Sequence, residues 1–194
     1  MFIPKACETL YKMYMKNLLL AFAATISVTC MVAQNYTPVD NGSDIKFSIK
    51  NFGLTVNGRF KGLKGRITFN PANVAAASFS ATVDATTVNT GNGTRDGHLK
   101  KEEYFNAGKY PVISLVSTGV TNATAGGSFN MEAKITIKGI TKAVSFPFKA
   151  TQKADGYLFE GAFKLNRRDF GVGGKSVVMS DNLTVSLSVF AKKN

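Results

Sequence analysis

From Asp44 onward, apolar and polar residues alternate with a period of two, which is the pattern of strands that bury one face and wet the other. Ile45, Phe47 and Ile49 share one side against Lys46, Ser48 and Lys50. Val56, Gly58, Phe60 and Gly62 hold one parity, then Leu63, Gly65, Ile67 and Phe69 hold the opposite one, so a bulge is expected near Gly62. Phe79, Ala81, Val83 and Ala85 continue the pattern, and it resumes after Pro111 with Ile113 and Leu115. Further runs follow: Phe129 with Met131, Ala133, Ile135 and Ile137; Val144 with Phe146 and Phe148; Tyr157 with Phe159, Gly161, Phe163 and Leu165; Leu183 with Val185, Leu187 and Val189. Gly, Asn or Asp punctuates most of the gaps, which gives eight strands. Pro147 inside a strand pattern predicts an edge or a bulge at that point.

The alternation stops over residues 86–111, TTVNTGNGTRDGHLKKEEYFNAGKYP. Gly91, Asn92 and Gly93 tolerate positive φ and end the preceding strand, and Asp96 is expected to cap one or two helical turns over about residues 97–105. Leu99, Tyr104 and Phe105 are the apolar groups such an element can turn inward, with Lys100, Lys101, Glu102 and Glu103 left to solvent. Pro111 holds Tyr110 extended and starts the next strand.

Eight amphipathic antiparallel strands close into a barrel or stack as a sandwich. A closed barrel of this size either fills itself or holds one small elongated ligand, and closure removes unpaired edges. The chain has 15 Phe and no Trp, and phenylalanines on a shared inward face line an apolar tube without an N–H or O–H to satisfy. By pattern alone, a filled core is the commoner outcome. An outer-membrane barrel turns the same alternation inside out, but the polar face here carries many lysines that a narrow lumen does not pair.

Ahead of the strands, Lys16 precedes a charge-free run over residues 18–30, and Met31, Val32 and Ala33 follow. That order and length predict a secretory signal over residues 1–33, with Met15 the more ordinary start, and an exported protein, periplasmic or secreted. Acylation of Cys30 in a lipoprotein ranks second. The remainder, residues 34–194, is expected to form one domain. Residues 1–33 carry three Lys, one Glu and both cysteines, so the remainder has a formal charge of 21 minus 11, or +10, and relies on its core and sheet rather than on disulfides.

The run T-G-N-x-x-R-D-x-H-L with the following aromatic pair and K-Y-P resembles the signature of the YceI-like family. V-x-G-R-F at residues 56–60, I-T-I-K-G-I-T-K at 135–142 and N-R-R-D-F-G-V at 166–172 match it in order and spacing. Asn51 stands where the family is expected to carry histidine. The resemblance implies an all-β fold, an eight-stranded antiparallel lipocalin-like barrel with a short helical segment at about residues 94–106. It also implies a polyisoprenoid or other long-chain lipid as ligand, with no further cofactor, so that a cavity becomes the favoured reading over a filled core. On inward parity the ligand-facing residues are then Phe47, Ile49, Phe69, Phe79, Val83, Ile113, Leu115, Ile135, Ile137, Phe146, Phe148, Phe163 and Leu165, joined from the insert by Leu99 and Phe105. Leu183 and Val185 are expected to serve stability. The insert is expected to gate one mouth, with Arg95 and Asp96 as its anchors or as a polar end to the tunnel. The alternative function is a structural or stress-related periplasmic interaction module with a filled core.

Catalysis is the weakest reading. His98 is the sole histidine and with Glu102 makes an i, i+4 pair, short of the three protein ligands a zinc site needs, so neither a metal nor a catalytic residue is assigned. His98 is expected to hold the insert by hydrogen bonds. The basic excess, including Lys100, Lys101, Lys109, Arg167, Arg168 and Lys175, reads first as a solvated surface and second as a transient contact with an anionic membrane or a phosphate head group. Nucleic acid is not expected as a partner, for no basic helix or stacking motif is present. Monomer and homodimer are both compatible with the sequence.

Overall fold

Strict alternation becomes strict burial. In Phe129, Met131, Ala133, Ile135 and Ile137 every second side chain is buried, while Asn130, Glu132 and Lys134 face solvent. The computed structural model describes residues 34–123 and 127–194, and the expected signal with Met15 and Cys30 lies outside the described residues. Its strands are β1 (Asn35–Pro38), β2 (Asp44–Asn51), β3 (Leu54–Thr68), β4 (Ser78–Asn89), β5 (Val112–Asn122), β6 (Ser128–Ile137), β7 (Ile140–Lys153), β8 (Gly156–Asn166) and β9 (Met179–Lys193), with helix α1 (Gly93–Leu99) between β4 and β5. Neighbours pair antiparallel in the order β2, β3, β4 and onward to β9, and β9 pairs again with β2, closing the barrel.

The nine strand segments fill eight positions. β1 and β2 both run antiparallel to β3 and to β9, so they are one wall strand broken at residues 39–43. The first strand thus starts earlier than its alternation suggests, because Pro38 and the break interrupt the period. The break has a bonding role: the Asp40 carboxylate accepts the backbone N–H of Gly62 at 3.0 Å and of Leu63 at 2.8 Å. Those amides are freed by the bulge in β3, where the β3–β4 register shifts and Gly62 takes φ +75°, a conformation glycine adopts without strain. The bulge therefore lies where the change of parity put it.

Pro147 sits opposite Asn130 in the β6–β7 ladder, and β7 begins to pair with β8 only at the next residue, Phe148 opposite Gly161. Its missing N–H falls on the unpaired side of β7, as a strand proline requires.

One barrel end carries the β2–β3 and β6–β7 hairpins, the β8–β9 loop and the long insert after β4; the other carries the β3–β4, β5–β6 and β7–β8 connections. The second end is filled. Phe69 packs edge-on against Phe129, Tyr157 and Phe159 with centroids 5.2–5.3 Å apart, and Phe79 against Phe148 and Phe159 at 5.5 and 5.1 Å. Edge-to-face geometry brings the positive ring edge to the negative face. A 3-10 turn, Val74–Ala76, buries Val74 over this plug.

A capped apolar lumen as candidate binding site

Between the aromatic plug and the insert lies a cavity of about 200 Å³ whose wall is almost wholly apolar. Ile45, Phe47, Phe60, Ile113, Leu115, Leu183, Val185 and Leu187 face it and are only half-buried. Residues pointing into a filled core lose nearly all their exposure; these keep part of it because empty space lies before them.

Of the residues expected to face a ligand, all but Phe69 line this cavity: Phe47, Ile49, Phe79, Val83, Leu99, Phe105, Ile113, Leu115, Ile135, Ile137, Phe146, Phe148, Phe163 and Leu165. Phe69 is 1% exposed and sits in the plug, because it lies at the far end of β3 where the connection to β4 closes the barrel. Parity fixes which way a strand residue points and says nothing of its depth along the axis. Leu183 and Val185, read from the sequence as stabilising core, also line the cavity. Their alternation carries the signal, as it does for Phe60, Phe159 and Leu187. Phe170 and Val172 line the cavity from a 3-10 turn, Arg167–Phe170, and the loop after it, where no period of two exists to announce them.

The insert caps the cavity, and its local folding departs from expectation in two respects. Helix α1 is Gly93–Leu99, earlier than residues 97–105, and its cap is Asn92, whose side chain accepts from Arg95 N at 3.0 Å. Asp96 is instead within the first turn. Its Oδ1 accepts from Thr90 N at 2.8 Å and Thr90 Oγ1 at 2.6 Å, while Arg95 donates from Nε to Thr90 Oγ1 at 2.7 Å and from Nη2 to Thr90 O at 3.0 Å. Thr90, the residue after β4, is thus the post to which both charged groups tie the helix. Residues 100–107 follow as turns, with Lys101 O accepting from Tyr104 and Asn106. Leu99, Tyr104 and Phe105 reach the cavity, and Phe105 meets Phe60 edge-on at 5.4 Å, which in turn packs on Phe47 at 5.7 Å.

Arg95, Asp96 and His98 are not among the cavity-lining residues, and His98 is exposed. Among the described residues no side-chain hydrogen bond of His98 is found, and no group of three or more His, Cys, Asp or Glu side chains stands close enough to hold a metal.

Among the charged residues at the lumen wall, Arg167 is the buried one. It is 3% exposed, and its donors are committed: Nε to Ser180 O, Nη1 to Val172 O and Gly174 O, Nη2 to Met179 O and Asp181 Oδ1. A guanidinium has five N–H donors, so none is left for a head group. Both readings of Arg167, first as a solvated surface cation and second as a contact for anions, are corrected accordingly: it is buried and staples the β8–β9 loop. Asn51, half-buried at the end of β2, pairs with Leu54 beside the β2–β3 turn and with Met179 of β9.

This geometry defines a closed antiparallel β-barrel with an apolar lumen and a capped mouth. The profile of the YceI-like domain matches residues 36–191, and the chain belongs to that family. Protein YceI of Escherichia coli O157:H7 is 31% identical over 170 residues, covering 81% of this chain and 87% of that one. The crystal structure of Burkholderia cenocepacia BcnA superposes with a TM-score of 0.74 at 25% identity, over 77% of this chain and 96% of that one. A polyisoprenoid binding domain from Saccharophagus degradans implicated in plant cell wall breakdown shares the fold, with a TM-score of 0.66 at 15% identity over 84% of this chain and 99% of that one.

Proposed function

We propose that the lumen binds one long apolar chain, of the polyisoprenoid or a comparable long-chain lipid class, and that the protein carries or stores it outside the cytoplasm without catalysing a reaction on it. The observation that carries this reading is the apolar cavity itself. Water gains almost no hydrogen bonds there, whereas each CH₂ of a ligand moved into it gains about 0.8 kcal/mol before ordering costs. Family membership and the polyisoprenoid binding domain of the same fold support the ligand class.

A cavity of about 200 Å³ exceeds the ~150 Å³ apolar void that takes benzene, yet it is short for a chain of many isoprene units. A longer chain entering the lumen would meet the half-buried wall of β2, β5 and β9. The second reading, a structural or stress-related interaction module, draws on the aromatic plug, which packs the other end of the barrel.

The test is native mass spectrometry of the purified protein, followed by organic extraction and titration with quinone and polyprenol analogues. A co-purifying lipid, or saturable binding at one site per chain, is expected. Failure of both selects the interaction module.

A further inference from the structure

The β2–β3 hairpin breaks a local rule for no gain in packing. Its turn is Phe52–Gly53, with φ +51° and +76°, the two positive values of a type I′ turn, whose first position favours Asn or Asp. A phenylalanine there is strained, and the residue is 73% exposed rather than packed. Leu54 beside it is also 73% exposed. Phe52 N donates to Val178 O at 2.8 Å, which sets the hairpin against the β8–β9 loop, where Val177 is 99% exposed and Val178 is partly so. Two adjacent tips at the mouth end therefore offer large apolar side chains to the outside. Local rules are broken where function asks for it.

The setting is cationic. Lys50 and Lys164 line a shallow groove on the outer wall next to the hairpin, and Lys175 is in the loop that bears Val177. Asp181, the acidic residue closest in the chain to these tips, is already held by Arg167 at 2.7 Å and Arg168 at 3.4 Å. Apolar groups that enter the acyl boundary, with lysines reaching to anionic head groups, are how a protein lies on a membrane without crossing it.

We infer that the mouth end docks on the surface of an anionic bilayer through the tips formed by Phe52 and Leu54 and by Val177 and Val178. The docked barrel presents its capped mouth to the lipid phase, and this consequence rests on the lipid-binding function proposed above. Docking itself does not need an occupied lumen.

The chain has no tryptophan, so Phe52→Trp places a sole indole emitter at the tip, and Val116→Trp, on the exposed outer wall of β5, is its comparison. Each variant is mixed with phosphatidylcholine vesicles and with vesicles containing one quarter phosphatidylglycerol. The emission of Phe52→Trp is expected to shift to the blue and to be quenched by brominated chains with the anionic vesicles alone, while that of Val116→Trp stays unmoved. Flotation of the Phe52→Asn, Val177→Ser double variant is expected to be about tenfold weaker than that of the parent, with an unchanged or higher Tm, since Asn suits the turn. An unshifted spectrum for Phe52→Trp, equal shifts in both variants, equal response to neutral vesicles, or undiminished flotation of the double variant overturns the inference. Polyprenol titration of the same variants in detergent is read separately. Retained lumen binding beside failed docking overturns the docking alone.

Discussion

Phe146 of β7 and Phe163 of β8 stack with ring centroids 4.6 Å apart, beyond the point where hydrogen bonding between their strands ends. The β7–β8 ladder runs from Phe148 opposite Gly161 to Lys153 opposite Gly156, whereas β7 stays paired with β6 from Ile140 and β8 with β9 to Asn166. Side chains thus close a seam that the backbone leaves open. Gly161 makes room, for a Cβ there would stand 3.1 Å from the Phe146 ring.

Either Phe146→Ala or Phe163→Ala is therefore expected to cost about 3–5 kcal/mol, the range for a buried ring. The pair should couple by about 0.5–1.5 kcal/mol in a double-mutant cycle, the share due to ring on ring. Urea unfolding of the four proteins measures both. Additive losses would mean that the stack does not hold the seam.

Empty and filled halves of the barrel should answer differently to added volume. Leu115→Trp places its ring in the cavity, so stability should change by less than about 1 kcal/mol, while affinity for a lumen ligand falls at least about tenfold. Phe69→Trp enlarges a side chain that is 1% exposed in the plug, and overpacking there should cost about 1–3 kcal/mol. Thermal melts with polyprenol titration separate the two. Equal destabilisation at both sites would argue that the lumen is closed to extra volume.

Alkaline pH probes the plug. Burial raises the Tyr36 phenol above its ordinary 10.0, and the neighbouring Tyr157 adds to the rise. The folded state holds that proton more tightly than the unfolded one, so Tyr36 contributes full stability below pH 10 and loses it as pH rises through the folded pKa. Tyr36→Phe should flatten the decline of Tm above pH 10 relative to the parent. An unchanged slope would assign the decline to other groups.

The wall of the barrel is legible in the sequence because a period of two survives any tertiary context in which one face is wet. Ile135 and Lys134 could not exchange faces without burying a lysine. The bulge at Gly62 is legible for the same reason, as a change of parity. Depth along the axis is not: Phe69 and Phe79 read alike, yet only Phe79 reaches the cavity, because depth depends on strand stagger between residues distant in the chain. The insert is legible as an interruption but not in its bonding. Thr90 emerges as the hub for Arg95 and Asp96 only when the end of β4 and the first turn of α1 are brought together. Arg167 reads as a surface cation in the sequence, since nothing in N-R-R-D-F-G-V says which arginine turns inward.

The cap offers the last prediction, and its latch is visible. Glu103 O accepts from Gly173 N at 2.8 Å, and Lys138 Nζ reaches Glu103 O at 3.4 Å and Gly171 O at 2.7 Å. The insert, the β6–β7 hairpin and the β8–β9 loop are thus fastened to one another across the mouth, while Leu99 and Phe105 fill the opening beneath. If the insert gates the lumen, Leu99→Ala with Phe105→Ala removes the stopper, and Lys138→Met removes the latch but little buried surface, since the Lys138 bond is exposed. Both variants should release a bound polyprenol about tenfold faster, and Lys138→Met should do so with a Tm close to the parent's. Leu183 and Val185 line the cavity and so would blur the comparison. Phe129, buried in the plug and outside the cavity lining, serves instead, with Phe129→Ala expected to lower Tm and leave the off-rate unaltered. Stopped-flow displacement and thermal melts on all three decide between a gate and a plug. A lid variant that loses stability with an unaltered off-rate would make the insert a structural closure, with ligand entry elsewhere, the β7–β8 seam at Phe146 and Phe163 being the next place to look.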